Sequence, residues 1–140
     1  MGSGKSTIGK YLSKKLNMNY IDTDFLVEQC CNMSIPQLFK LKGENYFRHV
    51  EHIICQKIHK LSNNIISSGG GTLLNEKNVS LFRDNCIIVY IYTPFEICYS
   101  RIFDSDRPII KHLSKEELID LYNKRILKYY KLANIVVSGE

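Results

Sequence analysis

Apolar runs alternate along this chain with stretches whose apolar residues recur every three or four positions, a pattern that predicts strands separated by helices. Residues 6–16 read as a helix with Ile8, Tyr11, Leu12 and Leu16 on one face, and Asn19-Tyr20-Ile21 as a short strand. The periodicity predicts further helices over residues 22–31, from a Ser34 cap to Leu41, and over residues 43–61. Ile65-Ile66-Ser67 reads as a buried strand ending in Gly69-Gly70-Gly71. A turn region from Leu74 leads into residues 86–91, whose apolar run does not alternate, as expected of a parallel strand covered on both faces. Pro94 suits the first turn of a helix carrying Cys98 and Arg101, and the polar residues 104–108 have the composition of a flap. Ser114 with Glu117 forms a capping box for a helix to about Leu132, and Ile135-Val136-Val137 is the last strand. Strands separated by helices imply a parallel sheet with right-handed crossovers, so the expected class is α/β in three layers.

Length and composition add bounds rather than detail. A chain of 140 residues suits one domain, and no apolar run approaches the ~20 residues needed to cross a bilayer. No charged-then-apolar leader opens the sequence, so neither secretion nor a membrane anchor is expected, and a cytoplasmic protein is. The net charge of +5 is scattered, apart from Lys124, Arg125, Lys128 and Lys131, whose helical spacing reads as a solvated face; nucleic-acid binding is not expected. The five cysteines are odd in number and include no CxxC pair, which fits a reducing compartment. Cys86 and Cys98, in apolar surroundings, read as small core residues. His49 and His52 share a helical face without a further ligand at a metal-like spacing, so a zinc site is not expected.

The candidate chemistry begins with Gly2-Ser3-Gly4-Lys5-Ser6-Thr7, which leads straight into a helix and matches the latter part of a P-loop. Glycines let successive N–H groups turn toward phosphate oxygens, and the helix start adds its positive dipole end. Lys5 would reach the β- and γ-phosphates and the Ser6 hydroxyl would bind Mg²⁺. In the full pattern, G-x-x-x-x-G-K-[ST], the first glycine and the strand feeding it fall before Met1. Asp22-Thr23-Asp24 stands at a strand end, where open parallel sheets place their crevice. One carboxylate can help hold Mg²⁺ through water while the other contacts an acceptor hydroxyl; alternatively, one simply caps the following helix. Arg48 and Glu51, three apart on a helix, form at least a surface ion pair, whereas three consecutive glycines imply that backbone lies close to a ligand.

Taken together, Gly-Ser-Gly-Lys-Ser, Asp22-Thr23-Asp24, Phe47-Arg48 with Glu51, the glycine triplet, Arg107-Pro108, and Lys124-Arg125 with Tyr129 resemble the shikimate kinase family in motif order and approximate spacing. The resemblance implies a P-loop kinase fold with strand order 2-3-1-4-5 and transfer of the ATP γ-phosphoryl group to the 3-hydroxyl of shikimate, giving shikimate 3-phosphate on the route to chorismate and the aromatic amino acids. By that similarity Lys5, Asp24 and Arg107 are catalytic, with Asp24 the candidate base and Arg107 in a lid that balances charge during transfer. Gly2, Ser3, Gly4, Lys5, Ser6, Thr7, Arg101 and Arg107 would meet ATP. Asp24, Arg48, Glu51, Gly69, Gly70, Gly71 and Arg125 would meet shikimate, the two arginines matching the pair that grips its carboxylate with planar forks. Ser6 and Asp22 would hold Mg²⁺, and Ser67 would approach its water shell.

The same resemblance assigns residues 1–140 to a single domain that is incomplete at both ends, without the family's first strand and its C-terminal helix. Such a chain is expected to be a monomer, to fold poorly alone and to phosphorylate shikimate weakly or not at all. Two alternatives accompany the main reading: a noncatalytic remnant with at most weak ligand binding, and a related enzyme such as a gluconate or nucleoside monophosphate kinase. Paired Arg48 and Arg125 with the glycine triplet favour a small carboxylated polyol over a nucleotide acceptor.

Overall fold

Three left-handed asparagines and two capping boxes set many of the element boundaries in the computed structural model, which describes residues 2–102 and 113–139. The elements run α1 (Lys5–Leu16), β1 (Asn19–Asp22), α2 (Thr23–Cys31), α3 (Ile35–Ile58), β2 (Asn64–Ser67), a 3-10 turn (Thr72–Leu74), α4 (Glu76–Arg83), β3 (Val89–Tyr92), α5 (Phe95–Ile102), α6 (Lys115–Leu132) and β4 (Ile135–Ser138). Packing divides them between two units, Lys5–Cys86 and Met1–Gly4 with Ile87–Glu140.

In Lys5–Cys86, β1 and β2 pair in parallel from Asn19 against Asn64 to Asp22 against Ser67. α1 turns into β1 through Asn17 (φ 52°), an angle that asparagine tolerates better than most residues. The buried positions of α1 are Gly9 and Ser13, while Tyr11 is 65% exposed and Leu16 53% exposed, contrary to the expected apolar face. The reason is proximity: a Cβ on Gly9 would stand 2.9 Å from the Tyr20 ring and 3.6 Å from Ile65, so the helix approaches the strands along its smallest residues. Ser34 and Gln37 form the capping box that starts α3, and Gly43 (φ 81°, ψ 171°) breaks it, as the two helices expected there require. Helices α2, α3 and α4 enclose a core of Val27, Leu38, Phe47, Val50, Ile54, Cys55, Ile58 and Phe82.

Residues 76–83 form α4 rather than a turn region. Asn75 and Asn78 look like turn formers in sequence. In the fold Asn75 caps the helix by accepting from the Lys77 amide, and the fully buried Asn78 donates to the Thr72 carbonyl.

In the other unit β3 and β4 pair in parallel, Val89 against Ile135 through Tyr92 against Ser138. The pairs β1–β2 and β3–β4 are the 2-3 and 4-5 neighbours of the expected order, and among the described residues each sheet has two strands. The expectation that residues 86–91 are covered on both faces fails here: Ile87 is 72% and Val89 47% exposed, and all four β4 residues are exposed. Among the described residues β3 has a neighbour along one edge only, and none of them covers these side chains. The capping box of α6 forms as expected, with the Ser114 hydroxyl accepting from the Glu117 amide and the Glu117 carboxylate from the Ser114 amide. Ile102 and Leu118 are buried with Phe95, Tyr99 and Leu113 against them, and Tyr90, Tyr92, Tyr129 and Tyr130 form an aromatic cluster. Cys98 is buried as expected, whereas Cys86, in the first unit, is half-buried. The flap over residues 104–108, with Arg107, lies outside the described residues.

Candidate active site

Gly2 (φ 63°) and Gly4 (φ 83°) take the positive angles that turn main-chain N–H groups inward, and Lys5 opens α1 directly after them. Gly2 is also packed too closely for any side chain, since a Cβ there would come within 2.5 Å of the Cys98 carbonyl oxygen. Arg101 Nη1 donates to the Gly2 carbonyl at 3.1 Å, and Thr93 Oγ1 to the Ser3 carbonyl at 3.4 Å. Tyr122 on α6 donates to the Thr93 carbonyl at 2.7 Å, so the glycine turn is tied to α5 and α6 by its own main chain.

Asp22 has two jobs at once. Its Oδ1 caps α2 by accepting from the amides of Asp24 (3.0 Å) and Phe25 (3.4 Å). Its Oδ2 accepts from Ser6 Oγ (3.3 Å) and from Tyr20 OH (3.1 Å). The Ser67 hydroxyl lies 3.5 Å from Ser6 Oγ, so two hydroxyls and a carboxylate converge where α1, β1 and β2 meet. Hard oxygen donors of this kind, few in number, suit Mg²⁺, which keeps most of its waters and takes phosphate oxygens for the rest.

The glycine triplet runs against three charged side chains. A Cβ on Gly69 would lie 2.5 Å from Asp24 Oδ1 and 3.1 Å from Glu51 Oε1, and one on Gly71 would lie 2.6 Å from Arg48 Nη2. Neither glycine has a positive φ, so space rather than backbone angle requires them. The strap is anchored by Gly69 N–H donating to Thr23 Oγ1 at 2.8 Å, both groups being buried. Close approach of backbone was the expectation, and what it approaches within this chain is the side chains of α2 and α3.

Glu51, 1% exposed, accepts from Thr72 Oγ1 at 2.6 Å and from Arg48 Nη1 at 2.9 Å. More than the surface ion pair suggested by spacing alone, it is a buried carboxylate with both oxygens engaged, the condition under which a charge is tolerated inside. Glu44 Oε1 accepts from both Nε and Nη2 of Arg48, each at 3.2 Å, and the guanidinium lies 5.0 Å from the centre of the Phe47 ring. Burial alone works against the charge on Arg48, but Glu51 and then Glu44 more than offset it, leaving the pKa above the usual arginine value. Asn78 completes the support: its Oδ1 is 2.6 Å from His52 Nδ1 while its amide holds the 3-10 turn that carries Thr72.

Arg125 is 9% exposed, which separates it from the solvated face suggested by its lysine neighbours. Tyr20, Glu44, Thr72, Asn78, Thr93 and Tyr122 were not among the residues expected from sequence. Only Tyr20 had a usable signal there, being two positions from Asp22 and therefore on the same strand face. Among the described residues no helix is long and apolar enough to cross a membrane.

The family model described as Shikimate kinase matches residues 1–140. The chain is 43% identical to the shikimate kinase of Caldicellulosiruptor bescii over 142 residues, covering 100% of this chain and 82% of the relative. It is 39% identical to that of Aquifex aeolicus over 141 residues, covering 100% and 83%. The crystal structure of the Aquifex aeolicus enzyme matches with a TM-score of 0.87 over 100% of this chain and 83% of that one. A shikimate kinase from Acinetobacter baumannii in complex with shikimate matches with a TM-score of 0.92 at 27% identity, over 98% of this chain and 78% of that one. With its glycine turn, its paired aspartates and its glycine strap against Arg48 and Glu51, this chain belongs to the shikimate kinase family.

Proposed function

We propose that this chain transfers the γ-phosphoryl group of ATP to the 3-hydroxyl of shikimate, giving shikimate 3-phosphate. The observation that carries the reading is the gathering of Asp24, Arg48 and Glu51 along one glycine strap, in a chain of this family. A carboxylate beside a guanidinium, with main chain closing one side, is the chemistry that recognises a small hydroxylated acid.

Asp24 takes the proton from the attacking hydroxyl, and its carboxylate occupies the space that a side chain on Gly69 would fill. Arg48 binds the acceptor carboxylate; Glu51, Gly69, Gly70 and Gly71 shape the surroundings, and Arg125 joins by family resemblance. Gly2, Ser3 and Gly4 offer main-chain N–H groups to the phosphates, and Lys5, Ser6, Thr7 and Arg101 complete the ATP contacts, with Arg107 assigned to the transferring group. Ser6 and Asp22 would hold Mg²⁺ with Ser67 near its waters, where the ion neutralises phosphate charge when bound with ATP. The reading carries with it a monomer working in the cytoplasm, the setting expected of a small-molecule kinase.

An ADP-release assay tests it, run on this chain extended at its N-terminus by about ten residues: turnover should require both ATP and shikimate. Arg48→Ala should raise KM for shikimate far more than KM for ATP. No turnover with shikimate in the extended chain, or an effect of Arg48→Ala confined to ATP, overturns the reading.

A further inference from the structure

Arg48 is held on every side but one by groups that stay in place. Nη1 is committed to Glu51, which is 1% exposed and also accepts from Thr72. The Phe47 ring lies against the guanidinium, and Gly71 leaves no room for a Cβ beside Nη2. The remaining edge, Nε with Nη2, carries Glu44, whose side chain is 54% exposed and which follows the helix break at Gly43. That edge is the fork that pairs with a carboxylate. Glu44 uses it poorly, with one oxygen shared between two donors at 3.2 Å.

We infer that Glu44 is a placeholder carboxylate: it occupies the acid-recognition edge of Arg48 until an acceptor carboxylate displaces it, and so sets the affinity and selectivity for carboxylated acceptors. The inference rests on the acceptor reading above. An incoming acid can place two oxygens on the two donors, whereas Glu44 places one, and an exposed carboxylate released into water regains its hydration. Glu51 cannot leave in the same way, because its charge would remain buried without a counter-charge. Glu44 thus competes only with acceptors that bring a carboxylate of their own, whereas a neutral polyol leaves it in place.

The test compares the unaltered protein with Glu44→Gln, using calorimetric titration of shikimate and of the same triol without its carboxyl group, together with steady-state kinetics. Glu44→Gln should tighten shikimate binding and lower its KM by about 2–5-fold, the range set by a partly exposed ion pair. The KM for ATP, kcat and the affinity for the neutral triol should be unchanged. Unchanged or weakened shikimate binding, or equal tightening of the neutral triol, overturns the inference. Failure of the N-terminally extended chain to phosphorylate shikimate would instead count against the acceptor reading, since the comparison of binding affinities needs no turnover.

Discussion

The two units of this chain hold their functional groups by different means. In Lys5–Cys86 the groups are side chains, and each is fixed by other side chains above an eight-residue apolar core: Arg48 by Glu51 and Glu44, Glu51 by Thr72, Asp22 by Ser6 and Tyr20. In the unit containing Gly2 to Gly4 the fixed groups are main-chain carbonyls, held by Arg101 and Thr93, and among the described residues its buried apolar cluster comprises Ile102 and Leu118. A small acid with several hydroxyls needs recognition at separate points, which side chains supply. Phosphate oxygens need many N–H groups in a tight curve, which only backbone supplies. Under the proposed function the glycine strap of Lys5–Cys86 would meet the acid and the glycine turn the phosphates, and the difference in construction would follow that difference in chemistry.

Glycine substitutions give the largest expected separation between the two. In Gly69→Ala the new methyl would lie 2.5 Å from Asp24 Oδ1 and must push the carboxylate aside. A displacement of about 1 Å at a reacting group costs ~10²-fold, so kcat should fall by that order while KM for ATP stays put. Gly2→Ala adds a methyl against the Cys98 carbonyl at φ 63° and should raise KM for ATP about tenfold, leaving KM for shikimate unchanged. Matching profiles for the two variants would erase the distinction between units.

A stability measurement comes next in size. Glu51→Ala strands the Arg48 Nη1 donor and the Thr72 hydroxyl beside a buried space, and should lower unfolding free energy by about 3 kcal/mol in urea titrations. A loss near zero would show that the polar network is ornamental to folding. Gly43→Ala should cost about 1–2 kcal/mol by the same measurement, since φ 81° with ψ 171° is glycine territory although space there is open. An unchanged midpoint would mean that the α3 break relaxes freely.

The smallest effect is alkaline and touches both units. Burial, with Glu51 adding to it, pushes the Cys55 thiol from 9.0 to about 12, and burial raises the Tyr122 hydroxyl from 10.0 to about 12. Both stay protonated in the folded chain while the unfolded chain ionises first, so their contribution is intact below pH 9 and declines as pH rises toward 12. Urea midpoints across that window should fall less steeply in Cys55→Ala than in the unaltered protein; parallel slopes would exclude the thiol.

Much of the site was legible because its signals are local. Ser34 with Gln37 and Ser114 with Glu117 were visible as caps, Asp22 and Asp24 as carboxylates at a strand end, and three glycines as a demand for space. Residues 76–83 were misjudged because Asn75 and Asn78 favour turns locally, and their opposite use here depends on a buried carbonyl six residues before Asn78. The face of α1 was misjudged because periodicity ranks residues by hydrophobicity, whereas the strands select Gly9 and Ser13 for their size.

Residue order alone determined the glycine turn and its lysine, the caps, the parallel α/β class and the family, since each depends on neighbours within one turn or on motifs in series. Tertiary structure decided that Glu51 is buried between Thr72 and Arg48, that Asp22 serves a helix and a hydroxyl together, and that Glu44 rests on the Nε–Nη2 edge of Arg48. The physical reason is that burial and hydrogen-bond partnership are properties of pairs far apart in the chain. Spacing places Arg48 near both Glu44 and Glu51 on one helix, but only packing buries one of those carboxylates and leaves the other exposed.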